Sequence, residues 1–285
     1  MRRTNRGAGI AVSQLTPFEF DDTAAFVTGA GSGIGRAIAH RLATRGVRVL
    51  VTDVDQTRAA AVAREIVDAG GTARAQRCDV AQDADFLAAR DRCLTDFGRI
   101  DVVVNNVGVL VAGRPEAIPI EEWQRILDLN VLGVVRSNAV FLPVLMEQGH
   151  GHIVNTASAS GIVNYAYDRT PYAASKAAVV MLSEALFMYL LPYGVGVSCL
   201  CPAGVMTNIL EQIRFIGEQL PLSAPELPVV EADVVGQRVV DAIERRDFLV
   251  LTADEMRDEL RRKGDDLDAY LREREQWMHR ARPDA

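Results

Sequence analysis

Tyr172 and Lys176 place a phenol and an ammonium four residues apart in the stretch Thr170-Pro171-Tyr172-Ala173-Ala174-Ser175-Lys176. On a helix that spacing stacks both side chains on one face, one turn apart. Thr170 is the expected N-cap, Pro171 suits the first helical position, and helix formers continue until Pro192 and Gly194. A phenol ionises at about pH 10 in water, and a cation held against it favours the phenolate, so Lys176 could make Tyr172 a usable base near neutrality. Such a pair is a proton-transfer device. The same spacing also occurs on ordinary solvated helices, so the rest of the chain has to decide.

The elements that would position the pair alternate in type. Ala24 to Val27 reads as a short buried strand, Thr28-Gly29-Ala30-Gly31-Ser32-Gly33-Ile34-Gly35 turns into a helix, and Val47 to Thr52 is a second strand. Strand, glycine turn, helix and strand make a dinucleotide-binding unit, whose glycines let backbone approach a pyrophosphate at the positive end of a helix. Asp53 closes the second strand, 18 residues after Gly35. A carboxylate there accepts both ribose hydroxyls and repels a 2'-phosphate, which selects NAD over NADP. Arg36 could soften that preference, although a solvated helix residue is its simpler role, and Asp55 suits a cap for a helix over 56–69.

The alternation goes on with a strand at 73–77 ending in Cys78-Asp79-Val80, a helix at 83–97, and Ile100 to Val104 running into Asn105-Asn106-Val107-Gly108. Branched apolar runs of this kind suit a parallel sheet covered on both faces, with the ligand at the carboxyl ends of its strands. Asp79 and Asn106 fall at those ends. A helix at 119–146 carries Asn130 among apolar neighbours, where its amide must find partners. His152 to Thr156 is another buried strand, and Ser158 follows it at the same edge. Beyond the Tyr172 helix come a strand at 195–200 and the stretch Pro202 to Thr207. An apolar, irregular segment at 208–230 reads as a lid of short helix and loop. Helix 231–245 and strand 247–251 complete the alternation. The expected fold is α/β, a doubly wound, Rossmann-like parallel sheet in one domain over 21–252. Residues 1–20 are a frayed extension, and 253–285 a charged helical C-terminal tail of the same domain with Met256, Leu260, Leu267, Leu271 and Trp277 at loosely helical spacing.

Composition narrows the classes of partner. A formal net charge of -7 with 49% hydrophobic residues argues against nucleic acid or an anionic membrane surface. The most apolar stretch, 177–201, is interrupted by Glu184, Pro192 and glycines, short of the roughly 18 to 20 residues that span a bilayer. Cys78, Cys93, Cys199 and Cys201 have neither metal spacing nor the density of a disulfide framework, which fits reduced thiols in the cytoplasm. Four His residues form no ligand cluster, His150 and His152 being expected on a loop and a strand edge, so no metal is expected.

Taken together these motifs closely resemble the short-chain dehydrogenase/reductase family in its short single-domain form, over about residues 20–252. Thr28 to Gly35 resembles its TGxxxGIG turn, Asp79-Val80 its Asp-Val pair, Asn105 to Gly108 its NNxG element, Tyr172 and Lys176 its YxxxK pair, and Pro202 to Thr207 its PGxVxT element. Val107 and Ala203 depart from the pattern, and the interval from Ser158 to Tyr172 is 14 residues, one longer than usual, with Ser160 as a rival serine.

The resemblance implies a catalytic set of Ser158, Tyr172, Lys176 and Asn130. Tyr172 would be general base or acid, Lys176 would lower its pKa and bind the nicotinamide ribose, Ser158 would bond the substrate oxygen, and Asn130 would hold a water that relays protons. It also implies NAD contacts from Gly29, Ser32, Gly33, Ile34, Gly35, Asp53, Asp79, Val80, Asn106, Gly108, Tyr172, Lys176, Pro202, Val205 and Thr207. The implied activity interconverts a secondary alcohol and a ketone. Apolar candidates for the pocket wall, Val109, Leu110, Val111, Ile162, Val163, Tyr165, Tyr167, Ile209 and Phe215, point to a lipophilic one. A catalytically idle NAD-binding sensor or scaffold is the alternative, and a sugar-nucleotide epimerase is disfavoured by the NNxG element. The helix after Tyr172 is apolar nearly all round, and the resemblance implies a homotetramer or homodimer formed through it and its neighbour at 119–146.

Overall fold

The computed structural model describes residues 16–164, 166–207, 213–217 and 227–281. Along the chain come β1 (Ala24–Val27), α1 (Gly33–Thr44), β2 (Arg48–Asp53), α2 (Gln56–Asp68), β3 (Ala73–Arg77), α3 (Asp83–Phe97), β4 (Val102–Asn105) and β5 (Val111–Gly113). Next are α4 (Ile120–Leu127), α5 (Gly133–Gln148), β6 (Gly151–Thr156), α6 (Ala159–Ile162), α7 (Thr170–Leu190) and β7 (Val195–Cys201). The last elements are β8 (Val205–Met206), β9 (Arg214–Ile216), β10 (Val230–Glu231), α8 (Ala232–Arg245), β11 (Leu249–Leu251), α9 (Glu255–Asp265) and α10 (Leu267–Ala281).

Successive residues of β1 point to opposite faces, and both faces are buried. Ala25 and Val27 pack with Ile38 and Leu42 of α1 and Val239 and Ile243 of α8. Ala24 and Phe26 pack with Phe86 of α3 and Phe141 and Leu145 of α5. That two-sided burial is why the strands read as continuous apolar runs. Seven strands form one parallel sheet in the order β11-β7-β6-β4-β1-β2-β3, with Val27 beside both Val51 and Val104. The order reverses between β1 and β4, and a doubly wound sheet opens a crevice at such a point.

Several elements differ from the sequence expectation. Phe18 and Phe20 are buried in the core, and Phe18 N–H donates to Glu244 O at 2.8 Å, so the packed body begins before residue 21; residues 1–15 lie outside the described residues. The 119–146 helix is two helices joined by a π turn at Asp128–Leu132. His152 is not at an edge: β6 lies between β4 and β7, and the imidazole is fully buried.

Within the expected lid, β9 pairs with β5 and β10 with β8, two short strands that the reading as helix and loop did not include, while 208–212 and 218–226 lie outside the described residues. The tail folds as two helices. Met256 and Tyr270 are buried against the body and Leu260 packs beside them, whereas Leu267 and Leu271 are exposed. Two helical spans, Ile120–Gln148 and Thr170–Tyr193, are long and apolar enough to cross a membrane by length and composition, although charged residues such as Arg136 and Glu184 interrupt them. They also carry the buried polar residues Asn130, Ser175, Lys176 and Ser183.

Candidate active site

A cleft of about 770 Å³ runs along the carboxyl ends of the central strands, from Asp53 at one end to Tyr172 at the other. At the Asp53 end β1 passes into the glycine turn. Asn106 clamps that turn, its Nδ2 donating to Thr28 O at 3.3 Å and Gly29 O at 3.4 Å. Gly35 seats α1 beneath it, since a Cβ there would meet Gly29 O at 2.4 Å. Ser32, the N-cap of α1, makes no side-chain cap. The first-turn amides are therefore left to the cleft at the positive end of the helix, an arrangement that fits a pyrophosphate.

Asp53 is held in place, accepting from Gly31 N–H at 3.1 Å and from Asp55 N–H at 3.0 Å. Asp55 caps α2 through Thr57 and Arg58 N–H. Arg36 is engaged with Glu65 on an exposed surface and is not part of the cleft wall, whereas Arg58 is. Asp79 and Val80 line the same end; the Asp79 carboxylate accepts from Ala81 N–H at 3.0 Å.

At the other end Ser158, Tyr172 and Lys176 come together, each nearly or fully buried and all lining the cleft. The Lys176 ammonium donates to Thr156 O at 2.7 Å. Gly108 leaves it room, because a Cβ at that position would stand 2.9 Å from Nζ. Burial lowers the Lys176 pKa to about 8. Burial raises that of Tyr172, opposed by hydrogen bonding with Ser158 and by the positive charge of Arg169. The expected direct hold of Lys176 on the phenol is thus modified: Nζ lies 5.8 Å from the ring centroid and is bonded elsewhere.

Ser158 caps α6, accepting from Ser160 N–H at 3.1 Å, and it is Ser158 that meets Tyr172. Helix α7 starts one residue earlier than expected, with Arg169 at the N-cap and Thr170 inside. The Thr170 hydroxyl makes no cap and is buried without a partner.

Of the residues singled out from sequence, Gly29, Ser32, Gly33, Ile34, Asp53, Asp79, Val80, Asn106, Gly108, Ser158, Tyr172, Lys176, Pro202, Val205 and Thr207 line the cleft. Gly35 and Asn130 do not; both stand behind its wall. Asn130 Oδ1 accepts from Val109 N–H at 2.8 Å, and its Nδ2 donates to Val109 O and to Ser175 Oγ, each at 3.0 Å. The amide pairs with backbone as a strand neighbour would, and it pins the segment after β4 over α7.

Among the expected pocket residues Val109 and Leu110 line the cleft. Val111, Ile162 and Val163 turn into cores instead. Phe215 packs beside Leu110, Ala112 and Tyr172, Tyr167 is outside the wall, and Tyr165 and Ile209 lie outside the described residues. Sequence reasoning missed Arg58 and Arg169. The available signal for Arg169 was a cation at the start of a long helix, where the dipole disfavours it.

Residues 23–215 match the family model described as short chain dehydrogenase. The chain is 38% identical over 197 residues to the probable oxidoreductase EphD of Mycobacterium tuberculosis, a match covering 69% of this chain and 33% of that protein. The chain therefore spans about a third of that relative's length. It is 33% identical over 197 residues to cyclohexanol dehydrogenase of Acinetobacter sp., covering 69% of this chain and 78% of the relative. A crystal structure from Burkholderia phymatum, in complex with NAD, superposes with a TM-score of 0.79 at 32% identity, covering 88% of this chain and 96% of that one.

Proposed function

The chain belongs to the short chain dehydrogenase family, oxidoreductases served by a nicotinamide cofactor, and from that premise we propose that it interconverts a secondary alcohol and a ketone with NAD. The observation that carries the reading is the meeting of Ser158, Tyr172 and Lys176 at one end of a cleft whose other end is the glycine turn and Asp53. When bound, the nicotinamide supplies the hydride acceptor or donor.

The chain supplies geometry and proton handling. Ser158 orients the substrate oxygen, and Tyr172 takes its proton in oxidation and returns one in reduction. Lys176, held on Thr156 O, adds positive charge beneath them. The water relay that the resemblance assigns to Asn130 needs an atom other than those its amide commits to Val109 and Ser175; the amide's own contribution is to fix the Val109 backbone. Four free, buried thiols suit a reducing cytoplasm.

NADH formation with a panel of secondary alcohols, measured beside Tyr172→Phe, tests the reading. Wild type should turn over at least one alcohol, and the variant should lose roughly 10²- to 10⁴-fold in kcat/KM while still binding NADH by fluorescence titration. Tight NADH binding with no turnover of any alcohol or ketone would instead mark an idle sensor or scaffold.

A further inference from the structure

Arg169 lines the cleft with Tyr172, in a wall that also holds Ser158, Ser160 and Lys176 and the apolar groups Val109, Leu110 and Ala166. Its side chain is 15% exposed, and its Nε donates to Asp168 Oδ1 at 2.8 Å. Asp168 is 1% exposed and not part of the wall; its carbonyl accepts from Gly113 N–H of β5 at 2.8 Å. A buried carboxylate anchored to β5 therefore holds the guanidinium at the cleft surface.

The placement is unfavourable twice over. A guanidinium taken largely out of water loses hydration even when it is paired, as here with Asp168, and the N-cap of a 21-residue helix is the end where positive charge is disfavoured. Local rules broken in this way are expected where a group has work at a site. At the Tyr172 end the cleft wall carries two cations, Lys176 and Arg169, and no carboxylate among the described residues; Asp53 and Asp79 belong to the far end. Arg169 and Tyr172, at the start of one helix, line the same cleft, and the positive charge of Arg169 favours the ionised form of the Tyr172 hydroxyl. A planar guanidinium fork recognises oxygen acceptors better than it does hydrocarbon.

We propose that the substrate carries a second oxygen acceptor, a carboxylate or a carbonyl, close to the carbinol carbon, and that Arg169 binds it while Ser158 and Tyr172 hold the reacting oxygen. This rests on the alcohol–ketone reading and narrows it. The class is a hydroxy acid or hydroxy ester, with its oxo counterpart, whose apolar remainder lies along Val109 and Leu110.

The test is the ratio of kcat/KM values within a matched set: 2-octanol, 2- and 3-hydroxyoctanoate and the methyl esters of both acids, each with NAD. Wild type should favour an acid or its ester over 2-octanol by roughly 10- to 100-fold, the worth of one charge-assisted hydrogen bond. Acid against ester tells a carboxylate from a carbonyl as the recognised group. In Arg169→Met the ratio should collapse, and Arg169→Lys should restore part of it for the acids only. A wild-type ratio within about threefold of one overturns the inference without any variant, and so does a ratio that survives in Arg169→Met. Turnover of none of the set, with NADH still bound, overturns the alcohol–ketone reading itself.

Discussion

Asp53 has both carboxylate oxygens engaged, by Gly31 and Asp55 N–H, so it cannot swing aside to admit a 2'-phosphate without losing two bonds. We expect kcat/KM for NAD to exceed that for NADP by at least about tenfold, since tenfold needs only about 1.4 kcal/mol. In Asp53→Ala the preference should shrink or invert, because Arg58 remains at the same wall. Equal use of the two cofactors by wild type would show that Asp53 does not face the ribose. Asp53 was legible from its distance to the glycine turn. Arg58 was not, because its place depends on how closely α2 approaches that turn; a Cβ on Gly31 would meet Arg58 Cβ at 2.7 Å. The same limit explains Val111, Ile162 and Val163, whose apolar character told of burial but not of which cavity or core they face.

Strands β6 and β7 carry a polar pair that sets a pH response. Ser198 Oγ donates to Asp247 O at 2.5 Å, so at 2.8 Å it must accept from His152 Nε2–H. The proton is thereby on Nε2, and Nδ1 is left buried with no partner, in a space where a Cβ on Gly196 would stand 2.5 Å away. Burial holds the His152 pKa well below 6.5. The unfolded chain therefore binds a proton that the folded one refuses: stability is complete above the unfolded pKa and is lost as pH falls from 6.5 toward the folded value. The slope is about 1.4 kcal/mol per pH unit, with His150 pushed the same way by burial. Melting temperatures between pH 7 and 5 should fall more steeply for wild type than for His152→Gln; identical slopes would discard the assignment. At this scale the long elements were legible because periodicity persists over many residues. Strands of two or three residues, such as β8, β9 and β10, have no period to read, and the π turn at Asn130 leaves the apolar pattern of its helix nearly unbroken.

For the whole molecule, the unsettled surface is the outer side of α5 and α7. Met181 is 64% and Met188 70% exposed, and Val135 and Tyr189 are exposed as well. These residues belong to the two spans whose apolar windows are only 33% and 28% buried within one chain. The apolar excess that sequence reading assigned to assembly thus remains outside the core of the monomer. A self-complementary patch of about 800 Å² per partner is the usual size of a specific interface, and at about 25 cal/mol per Å² even part of such a patch offers a large drive to pair. We expect sedimentation of the intact chain to give at least a dimer, and Met181→Glu with Met188→Glu to shift it toward monomer, since charge in an apolar interface core goes unpaired. Cofactor affinity separates assembly from folding: the cleft lies at the strand ends, so the doubly substituted chain should bind NADH as wild type does. An unchanged sedimentation coefficient, or a monomeric wild type, would mean that these faces do not pair.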